Sequence, residues 1–250
     1  MKITHIGSAC VLIESGGIKI LCDPWITGEV YYGSWAHYPK LEFDKAMFDD
    51  IDYIYVSHIH PDHMGADTFE WLQKDIPVLV HNYEEKFVVN TLKKYGMKNI
   101  IELKHGGSFE CSKDFKIYIY ASDDCNPENC FKFFGCGKSK SLGGGSLGID
   151  TIAVFTDGKY TVVNTNDSQY ELSLTPCKKI LMRFGNPDVL LHGYHAAGSY
   201  PQCWSCYSDE EKMKMADMKK EKFLNIGLQY LNLLKPKYYM PFAGTYTLAG

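Results

Sequence analysis

Ser57-His58-Ile59-His60-Pro61-Asp62-His63-Met64 is the most informative segment of the chain. It gathers three histidines and an aspartate directly after an apolar, β-branched run, Ile51 to Val56. Such a run reads as a buried strand, and the histidine cluster as the turn at its end. His58 and His60 are two apart, so in an extended segment their side chains point the same way. Asp62 and His63 lie past the strand end and can turn toward a second ion. Imidazole and carboxylate together suit zinc, iron or manganese. The competing reading is a loop whose histidines merely satisfy backbone groups. Three histidines plus an aspartate in this order weigh against it.

Upstream, residues 1–23 read as a β-meander of Ile3 to Ile6, Cys10 to Glu14 and Ile18 to Cys22, with turns at Gly7-Ser8 and Ser15-Gly16-Gly17. Asp23, before Pro24-Trp25, ends the third strand. It is placed either to support a ligand histidine from behind or to cap a turn. Residues 26–50 are aromatic and irregular, with Tyr31, Tyr32, Trp35, His37 and Tyr38. They suit a surface loop packed by its own rings, or a pocket mouth.

Downstream, a helix is expected from Gly65 to Lys74, a strand from Pro77 to Val80, and a helix from Glu84 to Tyr95 ended by Gly96. Asn99 to Leu103, Ser108 to Cys111 and Phe115 to Tyr120 continue as strands. Residues 121–146 read as a long functional loop, with Ser122-Asp123-Asp124, Cys125, Cys130, Cys136 and Gly143-Gly144-Gly145. Asp157-Gly158 marks a hairpin between Leu147 to Phe155 and Tyr160 to Val163, and Asn164-Thr165-Asn166-Asp167 ends the second arm in an acidic turn. A helix over Thr175 to Arg183 and a strand over Asp188 to His192 follow, then a loop over 193–208. A long helix over Asp209 to Leu234, with Phe223, Ile226, Tyr230 and Leu233 at helical spacing, and a last strand over Lys237 to Met240 complete the chain. Each half thus has strands followed by helices and delivers acidic or histidine residues from strand ends.

Composition excludes several classes. The 250 residues are 45% hydrophobic and 22% charged, which is ordinary for one globular domain spanning residues 1–250. A net charge of -4 leaves no basic footprint for nucleic acid. No apolar run approaches the roughly 20 residues that span a bilayer. Nine scattered cysteines without a secretion signal read as reduced thiols in a cytoplasmic protein.

Ser57 to Met64, the N-terminal meander, Asp23-Pro24-Trp25 and a later strand ending at Asp167 together resemble the metallo-β-lactamase superfamily. The resemblance covers essentially the whole chain, and its specific part is the HxHxDH turn. It implies an α+β fold, an αββα four-layer sandwich of two mixed β-sheets, with one or two divalent metal ions (Zn, Fe or Mn) at one edge. Asn164 to Asp167 and Met240-Pro241-Phe242-Ala243-Gly244 look like the CMP-N-acetylneuraminate hydroxylase-like and lactonase-like branch. No Rieske-type Cys-x-His pair occurs, so the electron-transfer module of such hydroxylases is expected to be missing. The stop soon after Gly244 suggests a cut boundary or a further domain. Carried over residue by residue, His58 and His60 match the first metal site, Asp62 and His63 the second, and Asp167 the bridging aspartate. The third histidine of the first site is replaced, so Asp123 or Asp124 would have to serve. The last histidine of the second site is absent from Pro241 to Gly244. His105, His192 and His195 remain as candidates for a ligand or substrate contact, with His192 and His195 expected to bind substrate.

Three function classes follow. The first is a metal-dependent hydrolase in which a metal-bound hydroxide, oriented by Asp62, attacks a small ester, lactone, amide or phosphodiester. The second is an iron-dependent oxygenase served by a separate reductase, favoured by the extra carboxylate. The third is a metal or ligand binder without chemistry. A cysteine site built from Cys125, Cys130, Cys136 and Cys203-x-x-Cys206 matches no compact metal spacing and carries less weight.

Overall fold

The computed structural model describes residues 1–122, 150–194, 198–244 and 246–248. The first sheet begins with the expected meander, β1 (Lys2–Gly7), β2 (Cys10–Ser15) and β3 (Ile18–Cys22), joined antiparallel. It continues in parallel through β5 (Tyr53–Tyr55), β6 (Val78–His81) and β7 (Ile100–Leu103). Between β3 and β5 lie a short strand, β4 (Trp35–His37), and a 3-10 turn over Lys45–Phe48. The helices α1 (Ala66–Trp71) and α2 (Phe87–Lys94) supply the crossovers. The second sheet repeats this plan. Its antiparallel part is β8 (Gly107–Glu110), β9 (Lys116–Ala121), β10 (Thr151–Thr156) and β11 (Thr161–Asn164). Next, α3 (Tyr170–Phe184), β12 (Val189–Gly193), α4 (Asp209–Leu234) and β13 (Tyr238–Phe242) extend it in parallel. Finally β14 (Tyr246–Leu248) pairs back onto β4.

The two sheets stack face to face because their central strands are apolar on both sides. Side chains alternate across a strand. Val11, Ile13, Ile20, Cys22, Tyr55 and Leu79 therefore meet Ile117, Ile119, Ala153, Phe155 and Leu191 between the sheets. The alternate set, Leu12, Leu21, Ile54, Val56 and Val78, packs under Phe69, Val88 and Leu92 of α1 and α2. On the far side Tyr120, Ile152, Val154 and Leu190 pack under Cys177, Ile180, Tyr230 and Leu234 of α3 and α4. The result is the expected αββα sandwich of two mixed sheets. Each fully buried aliphatic side chain contributes on the order of 1.5–3 kcal/mol.

Two local departures have simple causes. Helix α3 starts at Tyr170 rather than Thr175, with Pro176 inside it; proline is best tolerated in a helix's first turn, so the sequence suggests a later start. The irregular segment 26–50 gains β4 because its partner β14 lies more than 200 residues away, beyond any local pattern. The rings of that segment do pack on one another, with Tyr31 against Trp35, and Trp25 just before it stacks on His37. Among the described residues no helix is long and apolar enough to cross a membrane.

Candidate metal centre

The C-terminal ends of β3, β5, β11 and β12 converge at one edge of the sandwich, and the start of antiparallel β10 lies there too. Asp23, at the end of β3, is fully buried and organises the histidine turn. Its carboxylate accepts from the Ser57 amide (2.7 Å), the Ser57 hydroxyl (2.8 Å) and His63 Nδ1 (3.1 Å). Because the Ser57 hydroxyl donates to Asp23, it accepts from His58 Nδ1 at 2.9 Å. Both imidazoles thus carry their proton on Nδ1 and turn Nε2 into the site. The Ser57 carbonyl is clamped by Tyr83 (2.6 Å) and by Thr151 of the other sheet (2.8 Å).

Around this root the donors form two sets that share Asp167. His58, His60 and Asp167 make one, and Asp62, His63 and Asp167 the other, with the ligand atoms of each within 4.8 Å of one another. His58 Nε2 lies 2.9 Å from His60 Nδ1 and 3.8 Å from Asp167 Oδ2. His63 Nε2 lies 3.4 Å from Asp167 Oδ2 and 3.7 Å from Asp62 Oδ2. Asp167 reaches these positions because Asn166 is left-handed (φ 48°) and tied by its amide to the Thr151 carbonyl.

Sequence reasoning missed Asp150. This residue is 4% exposed, and its Oδ1 lies 3.6 Å from His58 Nε2 without a hydrogen-bond partner. The expected third donors, Asp123 or Asp124, lie outside the described residues, as does His195. Strand β10 runs the other way, so its start faces the site. The hairpin register was the available signal: Ala153 opposes Asn164, and counting three residues outward on each arm sets Asp150 opposite Asp167.

Charge at the site fits a divalent cation. Burial, then the charge of Asp167, pushes the Asp150 carboxyl up to about 7. Burial also raises Asp167, but the imidazoles of His63, His58 and His60 outweigh it and hold that carboxyl low. His63 is opposed by burial yet raised by Asp167, Asp62 and Asp23, whereas burial and His63 lower His58. Four carboxylates and three imidazoles thus crowd one site, and among the described residues no lysine or arginine pairs with them. Inward lone pairs and an unpartnered buried carboxylate oxygen are what a divalent ion takes up.

A second omission is Tyr31, whose hydroxyl donates to Asp62 Oδ1 at 2.6 Å. Burial, then the Asp62 charge, keeps the phenol protonated well beyond its ordinary range. In front of the donors lies a cavity of about 740 Å³, with Asp150, Asp167 and His192 on one side and Lys222, Asn225 and Gln229 of α4 on the other. His192 is oriented from behind. Thr165 Oγ1 gives its proton to the Leu191 carbonyl (3.2 Å) and so accepts from His192 Nδ1 (2.7 Å). His192 Nε2 is left with a lone pair and no partner. Burial lowers this imidazole to about 4. Cys203 and Cys206 are exposed free thiols, and Cys125, Cys130 and Cys136 lie outside the described residues.

The sequence profile described as the beta-lactamase superfamily domain matches residues 2–215. A protein of Mycolicibacterium smegmatis, whose name describes a Rieske 2Fe-2S iron-sulfur protein, is 28% identical over 98% of this chain and 43% of its own length. The cytidine monophosphate-N-acetylneuraminic acid hydroxylase of Danio rerio is 26% identical over 100% of this chain and 39% of its own length. The chain therefore spans less than half the length of these relatives. Among solved structures, isothiocyanate hydrolase from Delia radicum gut bacteria superposes with a TM-score of 0.65 at 19% identity, covering 99% of this chain and 87% of that one.

Proposed function

The chain belongs to the beta-lactamase superfamily, an enzyme fold that takes one or two divalent ions, and on that premise we propose an iron-dependent oxygenase that hydroxylates a polar small molecule. The observation that carries this reading is Asp150. With it the donor set holds three carboxylates, Asp62, Asp150 and Asp167, against three imidazoles, His58, His60 and His63. Hard oxygen donors lean toward iron over zinc. The similarity to the hydroxylase of Danio rerio and to the protein described as Rieske-type supports it. His58, His60, Asp150 and Asp167 would hold one ion, and Asp62, His63 and Asp167 the other. Iron held there supplies dioxygen activation, and the overall reaction consumes O₂, two electrons and two protons to give hydroxylated product and water. The electrons come from a separate reductase.

The remaining roles belong to the chain's own groups. Asp23 and Ser57 aim the imidazoles. His192, neutral with its lone pair free, accepts a hydrogen bond from a substrate O–H or N–H. Lys222, Asn225 and Gln229 form a polar wall on which such a substrate is held. The second reading is hydrolysis of an ester, lactone, amide or phosphodiester with zinc, with Asp62 as the water-orienting group. It is favoured by the three imidazoles and by the His192 lone pair, which can take a proton from an attacking water.

Metal analysis of protein purified without added metal decides between them. Two irons per chain, with reductant-dependent O₂ consumption, is the expected result. In Asp150→Asn the iron content should fall by about one ion per chain, because an anionic first-site donor becomes a neutral amide that binds a hard cation more weakly. Two zinc ions with metal-dependent turnover of lactones or p-nitrophenyl phosphodiesters would select the second reading. A chain without bound metal would sink both.

A further inference from the structure

We propose that Tyr31 is a positioning residue for the second ion, holding Asp62 so that one chosen oxygen faces it. The inference rests on the two-ion reading above. A carboxylate can rotate about its terminal bond and exchange its two oxygens. Here the Tyr31 hydroxyl occupies Oδ1 at 2.6 Å, while Oδ2 is the oxygen that lies 3.7 Å from His63 Nε2. Tyr31 thereby does for Asp62 what Asp23 does for His63: it takes one atom and commits the other to the site.

The backbone that delivers this hydroxyl is unusual. Tyr31 and Tyr32 are both left-handed (φ 52° and 58°), and Gly33 continues the turn at φ 84°. Bulky residues avoid that region unless their surroundings enforce it. The turn sends Tyr32 fully into solvent and Tyr31 inward onto Asp62. It is enforced from outside the histidine motif. The Ser34 hydroxyl (2.7 Å) and amide (3.2 Å) both donate to the Tyr31 carbonyl, and Val30 bridges to Trp35. The Tyr31 ring packs at 4.5 Å from that of Trp35, which is stacked on Tyr246 at 4.4 Å and 3°. Trp25, Val30 and Trp35 bury this cluster apart from the main core. Packing needs only the ring; the hydroxyl is what reaches the carboxylate.

Tyr31→Phe removes the hydroxyl and keeps the ring. The test titrates metal-stripped wild type, Y31F and Y32F with cobalt(II) against a chromophoric chelator, following the visible cobalt spectrum. Wild type and Y32F should bind two ions per chain. In Y31F the first ion should bind unchanged and the second about 10–100-fold more weakly, with an altered spectrum for the second equivalent and the melting temperature of the stripped protein retained. Ser34→Ala frees the Tyr31 carbonyl from one bond without touching the site, and should weaken the second ion in the same sense if Y31F does not fold. Two ions at wild-type affinity in Y31F would overturn the assignment. So would equal weakening of both ions, or a wild type that binds one ion. A wild type that binds no ion would overturn the metal reading itself.

Discussion

His192 shows how a single buried residue links the site to the stability of the fold. Its Nδ1 is satisfied by Thr165 and its Nε2 has no partner, so protonation would bury an uncompensated charge. Burial lowers its pKa from 6.5 to about 4. Between those values the unfolded chain binds a proton that the folded chain does not, so folding stability rises with pH across that window. The group's contribution is full above about 6.5 and is lost as pH falls toward 4. The full shift corresponds to about 3 kcal/mol. Urea unfolding of His192→Gln should therefore show a shallower loss of stability from pH 7 to pH 4 than wild type. Equal slopes would mean that the imidazole is solvated or already charged. The neutral form is also the one that can accept a proton or hydrogen bond in the cavity, so stability and binding ask for the same state.

Among the elements, α4 combines a long wall with little packing. Of its 26 residues only Gly227, Tyr230 and Leu234 are buried, all in the C-terminal third. Its first turns depend on local devices. Ser208 caps the Glu211 amide while the Glu211 carboxylate returns to the Ser208 amide at 2.8 Å, a reciprocal capping box. Lys219 adds a bond to the Tyr200 carbonyl at 2.7 Å. Ser208→Ala should cost about 1 kcal/mol, felt as fraying rather than global unfolding, because nothing beneath those turns is lost. Amide exchange over residues 209–222 should quicken about fivefold, with residues 227–234 unchanged. Uniform exchange along the helix would mean that its two ends are one cooperative unit. The stakes are functional as well, since Lys222 at the end of that stretch and Asn225 and Gln229 just beyond it line the cavity.

At the scale of the molecule, the two sheets are held by an apolar interior and also by the charged edge where their strands end. Four carboxylates in one cluster, of which Asp23, Asp62 and Asp150 are buried, repel one another, and a divalent ion removes that repulsion for the folded state alone. An ion present at about a thousand times its dissociation constant adds about 4 kcal/mol, so stripping one such ion should lower Tm by about 10 °C in a chain of this size. Calorimetry before and after dialysis against a chelator checks this, and re-addition of iron(II) without air should restore the higher transition. An unchanged Tm after verified removal would show that the fold carries the cluster unaided.

Much of this was legible along the chain. The meander, the strand before the histidines, the Asp157-Gly158 hairpin and the span of α4 all rest on local periodicity and turn chemistry, which act between near neighbours. The HxHxDH turn was legible for the same reason: one strand end carries all four side chains. Asp23 was readable only as one of two alternatives, turn cap or support; its carboxylate accepts hydrogen bonds from the Ser57 amide, the Ser57 hydroxyl and His63 Nδ1. Asp150 and Tyr31 were not legible as parts of the site. Asp150 faces His58 because β10 runs antiparallel in the opposite sheet, and Tyr31 reaches Asp62 because β14 closes on β4 from the far end of the chain. Local sequence limits which donors can gather; the packing of the two sheets selects which carboxylates do and which oxygen each presents, because direction and distance between remote strands are set by sheet packing and not by neighbouring residues.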